Sequence, residues 1–370
     1  MISRRRLILA AGAAAAMPGG SWGRAAETGG TAAAALYRRA FVLDCNALAS
    51  VGGMFDGEKA AGDLQALHGA GISAVKCTLG GFNGNFEETV ADIAAAEALI
   101  ERHPDIFIKV SAFEDLDRAK RERRMALIYS FEGVAMLEDR LDRIGLFREL
   151  GVRAMQLSYN HESPFGHGCL DGDDGGLTEL GHQAVAKMNE RGVAVDVSHS
   201  NTRTTAQAIA ASVRPPLMTH AGCRAVNPHP RNKEDRDMRA LADKGGVMGI
   251  FMLPYLTEDT RQPMLEDYMR HMAHALDVCG EDHVGVGSDV PFLIVTAADL
   301  EEMRQDVAQR RAAGVSAPGE NRPPYIPDLN TPRKLEKVAD ALLRRGYGSR
   351  VAEKVLGLNF RRAFKEIWSA

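Results

Sequence analysis

Short, nearly continuous apolar runs alternate with stretches of helical character along most of this chain. That alternation constrains the fold more than any single residue does. The segments 41–45, 72–77, 106–111, 125–130, 154–158, 193–198, 216–219, 247–251 and 284–287 read as strands. Several lack polar alternation, which is the pattern of strands covered on both faces of a parallel sheet. Helical patterns lie between them. One runs over 134–150, with Leu137, Leu141, Ile144, Leu146 and Leu150 broadly on one side and Gly151 as the stop. A second runs over 181–191 and stops at Gly192, and a third spans 202–211 behind the cap candidates Ser200 and Asn201. So many βα units without a glycine-rich nucleotide fingerprint predict an α/β fold, a (β/α)8 TIM-type barrel rather than a doubly wound sheet. Nine candidate runs for eight strands leave one as accessory. The Gly-rich stretch 80–85 lacks a following Gly-Lys-Ser/Thr and reads as a long βα loop. The proline-rich stretch 317–332 reads as a loop crossing the barrel before terminal helices at 333–345 and 350–368.

No linker divides the 370 residues. The expected organisation is an export signal over 1–26 and one barrel domain with C-terminal helices over 27–370. The signal reading rests on Ser3-Arg4-Arg5-Arg6-Leu7, followed by an Ala-rich apolar segment too short for a stable anchor. Its Ser-Arg-Arg-x-Leu pattern resembles a twin-arginine leader, so an exported, periplasmic protein is expected, with no transmembrane span in the mature chain. Net charge is −4, from 45 basic and 49 acidic residues, which excludes the clustered basic surface of a nucleic-acid binder. The five cysteines, Cys45, Cys77, Cys169, Cys223 and Cys279, form no Cys-x-x-Cys pair. Mostly free thiols are expected, a single disulfide staying open, and a thiolate zinc cluster is not.

Barrel enzymes carry their chemistry at the C-terminal ends of the strands. Reading those ends gives Glu132, Tyr159, Asn160, His199, His220 and Asp289. His199 and His220 close consecutive strands of one β-α-β unit, so the strands are parallel neighbours and the imidazoles share one mouth. Two imidazoles and the Glu132 carboxylate form a three-ligand set for a catalytic zinc, with a position left for water. Asp289 is then placed to act as general base and proton shuttle.

From residue 130 onward the chain resembles the membrane (renal) dipeptidase family of zinc peptidases. The resemblance is carried by Phe131-Glu132-Gly133, Gly176-Leu177-Thr178, Asp196-Val197-Ser198-His199, Thr219-His220, His229-Pro230-Arg231-Asn232 and Asp282-His283-Val284-Gly285-Val286-Gly287-Ser288-Asp289. It extends to Gly357-Leu358-Asn359-Phe360. The resemblance implies a metallo-dependent hydrolase barrel that cleaves dipeptides with two metals bridged by a glutamate, and a homodimer. By position it implies that Glu132, His199 and His220 are metal ligands, Arg231 the grip on a substrate carboxylate and Asp289 the catalytic acid/base. Tyr159 stands where the family has a substrate-contacting histidine, and Tyr159 and Asn160 are read as substrate-binding. A surface ion pair with Asp235 is the alternative for Arg231.

The first strand departs from the family. Where Asp-Gly-His-Asn-Asp supplies the second metal's ligands, this chain has Asp44-Cys45-Asn46-Ala47-Leu48. Leucine cannot ligate and a neutral amide is a weak zinc ligand. One zinc is therefore expected, with Asp44 or Cys45 as the remote candidates for rescue of the other site. The partner expected is a small, dipeptide-like substrate. Two rivals stay open: hydrolysis of another small amide, ester or lactone on the same scaffold, and a non-catalytic binding protein.

Overall fold

A computed structural model describes residues 31–49, 60–81, 83–258 and 261–369; the expected leader lies outside them. Ten strands occur in the described residues: β1 Leu43–Ala49, β2 Ala74–Thr78, β3 Phe107–Lys109, β4 Met125–Phe131, β5 Val152–Gln156, β6 Ala194–Asp196, β7 Leu217–Cys223, β8 Asn232–Lys233, β9 Val247–Ile250 and β10 Val284–Val286. Eight follow one another around a parallel sheet in the order β1-β2-β4-β5-β6-β7-β9-β10. Strand β10 returns to β1 at its end, where Ser288 N donates to Asp44 Oδ1 (2.7 Å) and Asp289 N to the Asn46 carbonyl (2.6 Å). The result is a nearly closed (β/α)8 TIM-type barrel, as the alternation of apolar runs predicts.

The ninth predicted run is the accessory one. Phe107–Lys109 pairs only with β4, outside the barrel path. The two-residue β8, which pairs with the end of β7, has no pattern long enough to read in sequence.

The barrel floor is filled by Leu43, Cys45, Ala74, Ala126, Ala194, Leu217 and Val247, most of them at strand beginnings. Phe360, Phe364 and Ile367 from the last helix, Asn359–Trp368, join the same cluster and close that end. The C-terminal strand ends are left for chemistry. They can crowd together because Gly249 and Gly287 carry no side chain: a Cβ there would lie 2.2 and 1.8 Å from the Thr219 carbonyl oxygen, beside His220.

Local chemistry sets the helix starts. Asn201 caps the helix Thr202–Ala211 through Thr204 N (2.8 Å), and Thr178 caps Glu179–Glu190 through Gly181 N (2.9 Å). Two predicted helices are broken. Instead of one helix over 134–150 there is a single turn, Ala135–Leu137, and then a helix, Asp142–Glu149, with Glu138 at φ 53° between them. Leu137, Ile144 and Phe147 still reach one core, while Leu146 is left exposed. The expected helix over 350–368 is interrupted at Lys354–Leu358. There Gly357 passes so close to β1 that a Cβ would sit 2.6 Å from the Phe41 carbonyl oxygen, and the Asn359 amide donates to the Glu281 and Val284 carbonyls (both 2.8 Å). The Gly-Leu-Asn-Phe motif is thus a docking device for the barrel floor. No helix of the described residues is long and apolar enough to cross a membrane, and all five cysteines are free and buried.

Candidate metal centre and active site

Strands β6 and β7 deliver the two histidines, though not at their predicted ends. His220 lies inside β7, and His199 stands in the turn after β6. Their Nε2 atoms face each other at 3.0 Å, both rings fully or almost fully buried. Behind each ring the Nδ1 is tied. His199 Nδ1 meets Asn160 Oδ1 at 2.8 Å, and that amide's orientation is fixed because its Nδ2 donates to the Val315 carbonyl (2.9 Å). His220 Nδ1 meets Thr219 Oγ1 at 2.9 Å, while the Thr219 hydroxyl proton goes to Asp196 Oδ2 (2.6 Å). Both Nδ1 atoms therefore carry the proton, and both Nε2 lone pairs point at the same spot. Burial, and then the charge of Arg231, push both imidazoles' pKa well down, so each is a neutral ligand near pH 7.

Two lone pairs aimed at each other repel unless a cation sits between them. Glu132, just past β4, completes the set: its Oε2 is 3.8 Å from His199 Nε2, and among the described residues Glu132, His199 and His220 form the group able to hold a metal. Tied imidazole backs are the usual companion of metal-ligating histidines. The donor set fits a divalent ion such as zinc.

Asp289 closes the other side, its Oδ2 4.0 Å from His220 Nε2. It holds a left-handed backbone, φ 58°, which is strained for an aspartate. Burial, and next the neighbouring Glu132 charge, raise its carboxyl to about 8. Asn46 Nδ2 donates to both Glu132 Oε1 and Asp289 Oδ1, each at 2.8 Å, and Thr78 Oγ1 donates to Glu132 Oε1 at 2.7 Å. The ligand places implied for a second metal thus offer an amide donor at Asn46; Leu48 lies in β1 beyond it. The rescue candidates do not join. Asp44 turns to Ser288 N, and burial pushes the Cys45 thiol's pKa well up.

Arg231 is buried, not paired with Asp235, which bonds His274 (2.8 Å) instead. Its guanidinium lies 5.7 and 5.9 Å from the Phe251 and Tyr255 ring centres, its Nε has no partner among the described residues, and Nη2 lies 3.5 Å from the His220 carbonyl. Tyr159 stacks on His199 with ring centres 4.2 Å apart. Asn160 is a correction to its expected place among substrate contacts: it is 1% exposed and both ends of its amide are engaged, so it stands behind His199. The predicted loop over 317–332 does run over the mouth. The Pro318 carbonyl meets His229 Nε2 (2.8 Å), and Glu320 takes the Tyr255 hydroxyl (2.8 Å) and an ion pair from Arg310 (3.1 Å). Asn46's bridging role, Thr78, Thr219 and Lys76 were not legible as site residues, since each sits within an apolar strand run with no spacing signal.

A carboxylate and two imidazoles able to hold a metal, at the C-terminal mouth of a (β/α)8 barrel, are the pattern of the metal-dependent hydrolases. The comparisons with known proteins give the family. The profile of the membrane dipeptidase family (peptidase family M19) matches residues 60–306, about two thirds of the chain, and the chain belongs to that family. It is a metallo-dipeptidase-like hydrolase. Among curated relatives, the dipeptidase verJ of Clonostachys rogersoniana is 27% identical over 287 residues, covering 76% of this chain and 71% of the relative. The dipeptidase tcpJ of Claviceps purpurea is 24% identical over 77% of this chain and 61% of its own length. Among solved structures, an amidohydrolase from Pseudomonas aeruginosa superposes with a TM-score of 0.80 at 27% identity, covering 91% of this chain and 99% of its own. A metallopeptidase from Rhodobacter sphaeroides, solved with a phosphinate mimic of the dipeptide L-Ala-D-Ala, shares the fold with a TM-score of 0.71 at 21% identity, over 88% of this chain and 99% of its own.

Proposed function

We propose that this chain hydrolyses the amide bond of a dipeptide or closely related small amide with one divalent ion, zinc in the first place, held by Glu132, His199 and His220. The observation that carries this reading is the imidazole pair: two neutral Nε2 atoms 3.0 Å apart, each with its Nδ1 proton already engaged. When bound, such an ion supplies Lewis acidity, polarising the scissile carbonyl and bringing a water's pKa toward neutrality.

The chain's own groups do the rest. Asp289, held by the Asn46 amide and facing the imidazole pair, is placed to take the attacking water's proton at Oδ2 and hand it to the leaving amine. Arg231 offers its Nε edge to the substrate's carboxylate, a bidentate match. Tyr159 walls the mouth and keeps the His199 ring flat against it, while Asn160 holds that ring's tautomer. Dipeptides of both configurations, assayed on the zinc-loaded protein beside esters and lactones, test the proposal. Robust dipeptide turnover is expected, and none at full metal content would overturn it. Tyr159 over His199, where the family's histidine is implied, favours the second reading of another small amide, ester or lactone.

The Ser3-Arg4-Arg5-Arg6-Leu7 run supports export before action, and Arg4→Lys with Arg5→Lys is expected to retain the protein in the cytoplasm on fractionation.

A further inference from the structure

The mouth of the barrel brings two carboxylates, Glu132 and Asp289, to either side of one amide nitrogen. An amide NH2 has two protons, and Asn46 spends one on each carboxylate at 2.8 Å. Its main chain is engaged as well, since the Asn46 carbonyl accepts Asp289 N at 2.6 Å. Asn46 therefore fixes Asp289 twice, once through the side chain and once through the strained backbone that carries it. The Nδ2 turned to the centre is a donor and attracts negative charge, while the amide's one cation-binding atom, Oδ1, is turned to the Thr78 hydroxyl (3.4 Å).

Directly below lies a buried lysine. Lys76 is fully buried on β2, two residues before Thr78, and so shares the inward face from which Thr78 reaches Glu132. Its Nζ donates to Ser130 Oγ at 3.1 Å, and Ser130 is two residues before Glu132 on the neighbouring strand. The ammonium thus sits one layer beneath the carboxylate pair. A unit charge in that position acts across one layer on both carboxylates and on any ion placed between them.

A second buried lysine shows what a fully hydrogen-bonded one looks like in this molecule. Lys233 has three acceptors, the Val197 and Ser200 carbonyls (both 2.7 Å) and Thr205 Oγ1 (3.2 Å). Among the described residues Lys76 has a single acceptor for its three donors. A fully buried ammonium so sparsely bonded is held by opposite charge, and the barrel interior supplies it in four carboxylates, Glu132 and Asp289 at the mouth with the buried Asp44 and Asp196.

We infer that Asn46 and Lys76 take the part of a second cation against Glu132 and Asp289, committing the centre to one divalent ion. The inference rests on the one-ion reading above and gives it a cause beyond the loss of ligands. A second dication in that place would have to displace the amide and face the ammonium. Asn46 is a positioning residue for Asp289, and Lys76 the counter-charge.

The test is zinc stoichiometry by elemental analysis and zinc affinity by chelator competition, on the full chain with zinc alone. Wild type and N46H/L48D are expected to hold one equivalent, and N46H/L48D/K76M two. K76M alone should keep one equivalent and bind it at least about tenfold tighter, because a buried like charge is gone. N46A should keep one equivalent and lose at least about tenfold in kcat with little change in KM, as a displaced proton carrier does. Two tight equivalents in N46H/L48D with Lys76 still present, one in the triple variant, an unchanged zinc Kd in K76M, or wild-type kcat in N46A would each overturn this inference alone. If the triple variant does not fold, K76M and N46A decide. Two equivalents in the wild type would defeat the one-ion reading itself.

Discussion

The two halves of the barrel mouth are built on opposite electrostatic plans. On the β6–β7 side every back-facing hydrogen-bond donor is tied down so that lone pairs face the centre: Asn160 behind His199, and Thr219 and Asp196 behind His220. On the β1–β2 side donors face the centre instead: the Asn46 amide, the Thr78 hydroxyl and, one layer down, the Lys76 ammonium. One half wants a cation and the other supplies its own positive charge. Glu132 spans them, its Oε2 toward His199 and its Oε1 on Asn46 and Thr78. The comparison teaches that losing a ligand pair need not leave a weakened site; the vacated half can be rebuilt around donors.

The sharpest way to break the contrast is to remove a lone pair from the cation-seeking half. H220A is expected to lose the bound ion and to cut kcat/KM by roughly 10⁴-fold or more, the scale of losing a water brought from pKa 15.7 to about 7. Elemental analysis beside the assay checks it, and full metal content in H220A would contradict the ligand assignment. Next in size is D289N, which keeps the shape and the Asn46 contact but cannot carry a proton. Its kcat should fall by about 10²–10⁴-fold with metal content unchanged.

How much of this was legible in sequence follows from which signals are local. The barrel could be read because buried parallel strands are continuous apolar runs, and the cation-seeking half because His199, His220 and Glu132 each follow an apolar run within two residues. Strand limits were less legible: β7 runs on through His220 to Cys223, where Gly222 and Cys223 pair with Asn232 and Lys233 of β8, a two-residue strand that no hydropathy pattern records. The donor half was legible only as a departure, histidine and aspartate replaced by Asn46 and Leu48. That Asn46 bridges two carboxylates separated from it by 86 and 243 residues is a product of closure. Lys76 inside an apolar run, Ala74-Val75-Lys76-Cys77-Thr78, was the one local anomaly available, since lysine is rarely fully buried unless paired. Asn160 was misplaced among substrate contacts because a strand-end residue can face the mouth or the back of its neighbour, and only packing decides.

Two smaller effects sharpen the contrast. R231K keeps the charge but loses the planar fork. KM for a substrate with a free carboxylate should rise about 10- to 100-fold, while a substrate with that carboxylate amidated should be nearly indifferent, as steady-state kinetics on the two will show. N160A frees the His199 Nδ1 and should weaken zinc by about 10- to 100-fold with kcat largely kept at saturating metal, which chelator competition measures.

The smallest effect concerns Lys233, the buried lysine that is not part of the charge contrast. It ties the Val197 and Ser200 carbonyls on either side of His199 and so secures the ligand-bearing turn, while its charge adds to the lowering of both imidazoles. Burial lowers its pKa to about 8, below the ordinary value near 10.4. Between those two pH values the unfolded chain binds a proton that the folded chain has released, so this group's contribution to stability rises with pH across that window. K233M should therefore lose about 1–3 kcal/mol of stability near pH 7 by orphaning its acceptors, and in denaturant titrations from pH 8 to 10 it should lack the upward slope that wild type shows relative to it. The metal content of K233M should stay at one equivalent; a loss of zinc at neutral pH without a loss of stability would place Lys233 with Lys76, in the electrostatics of the site.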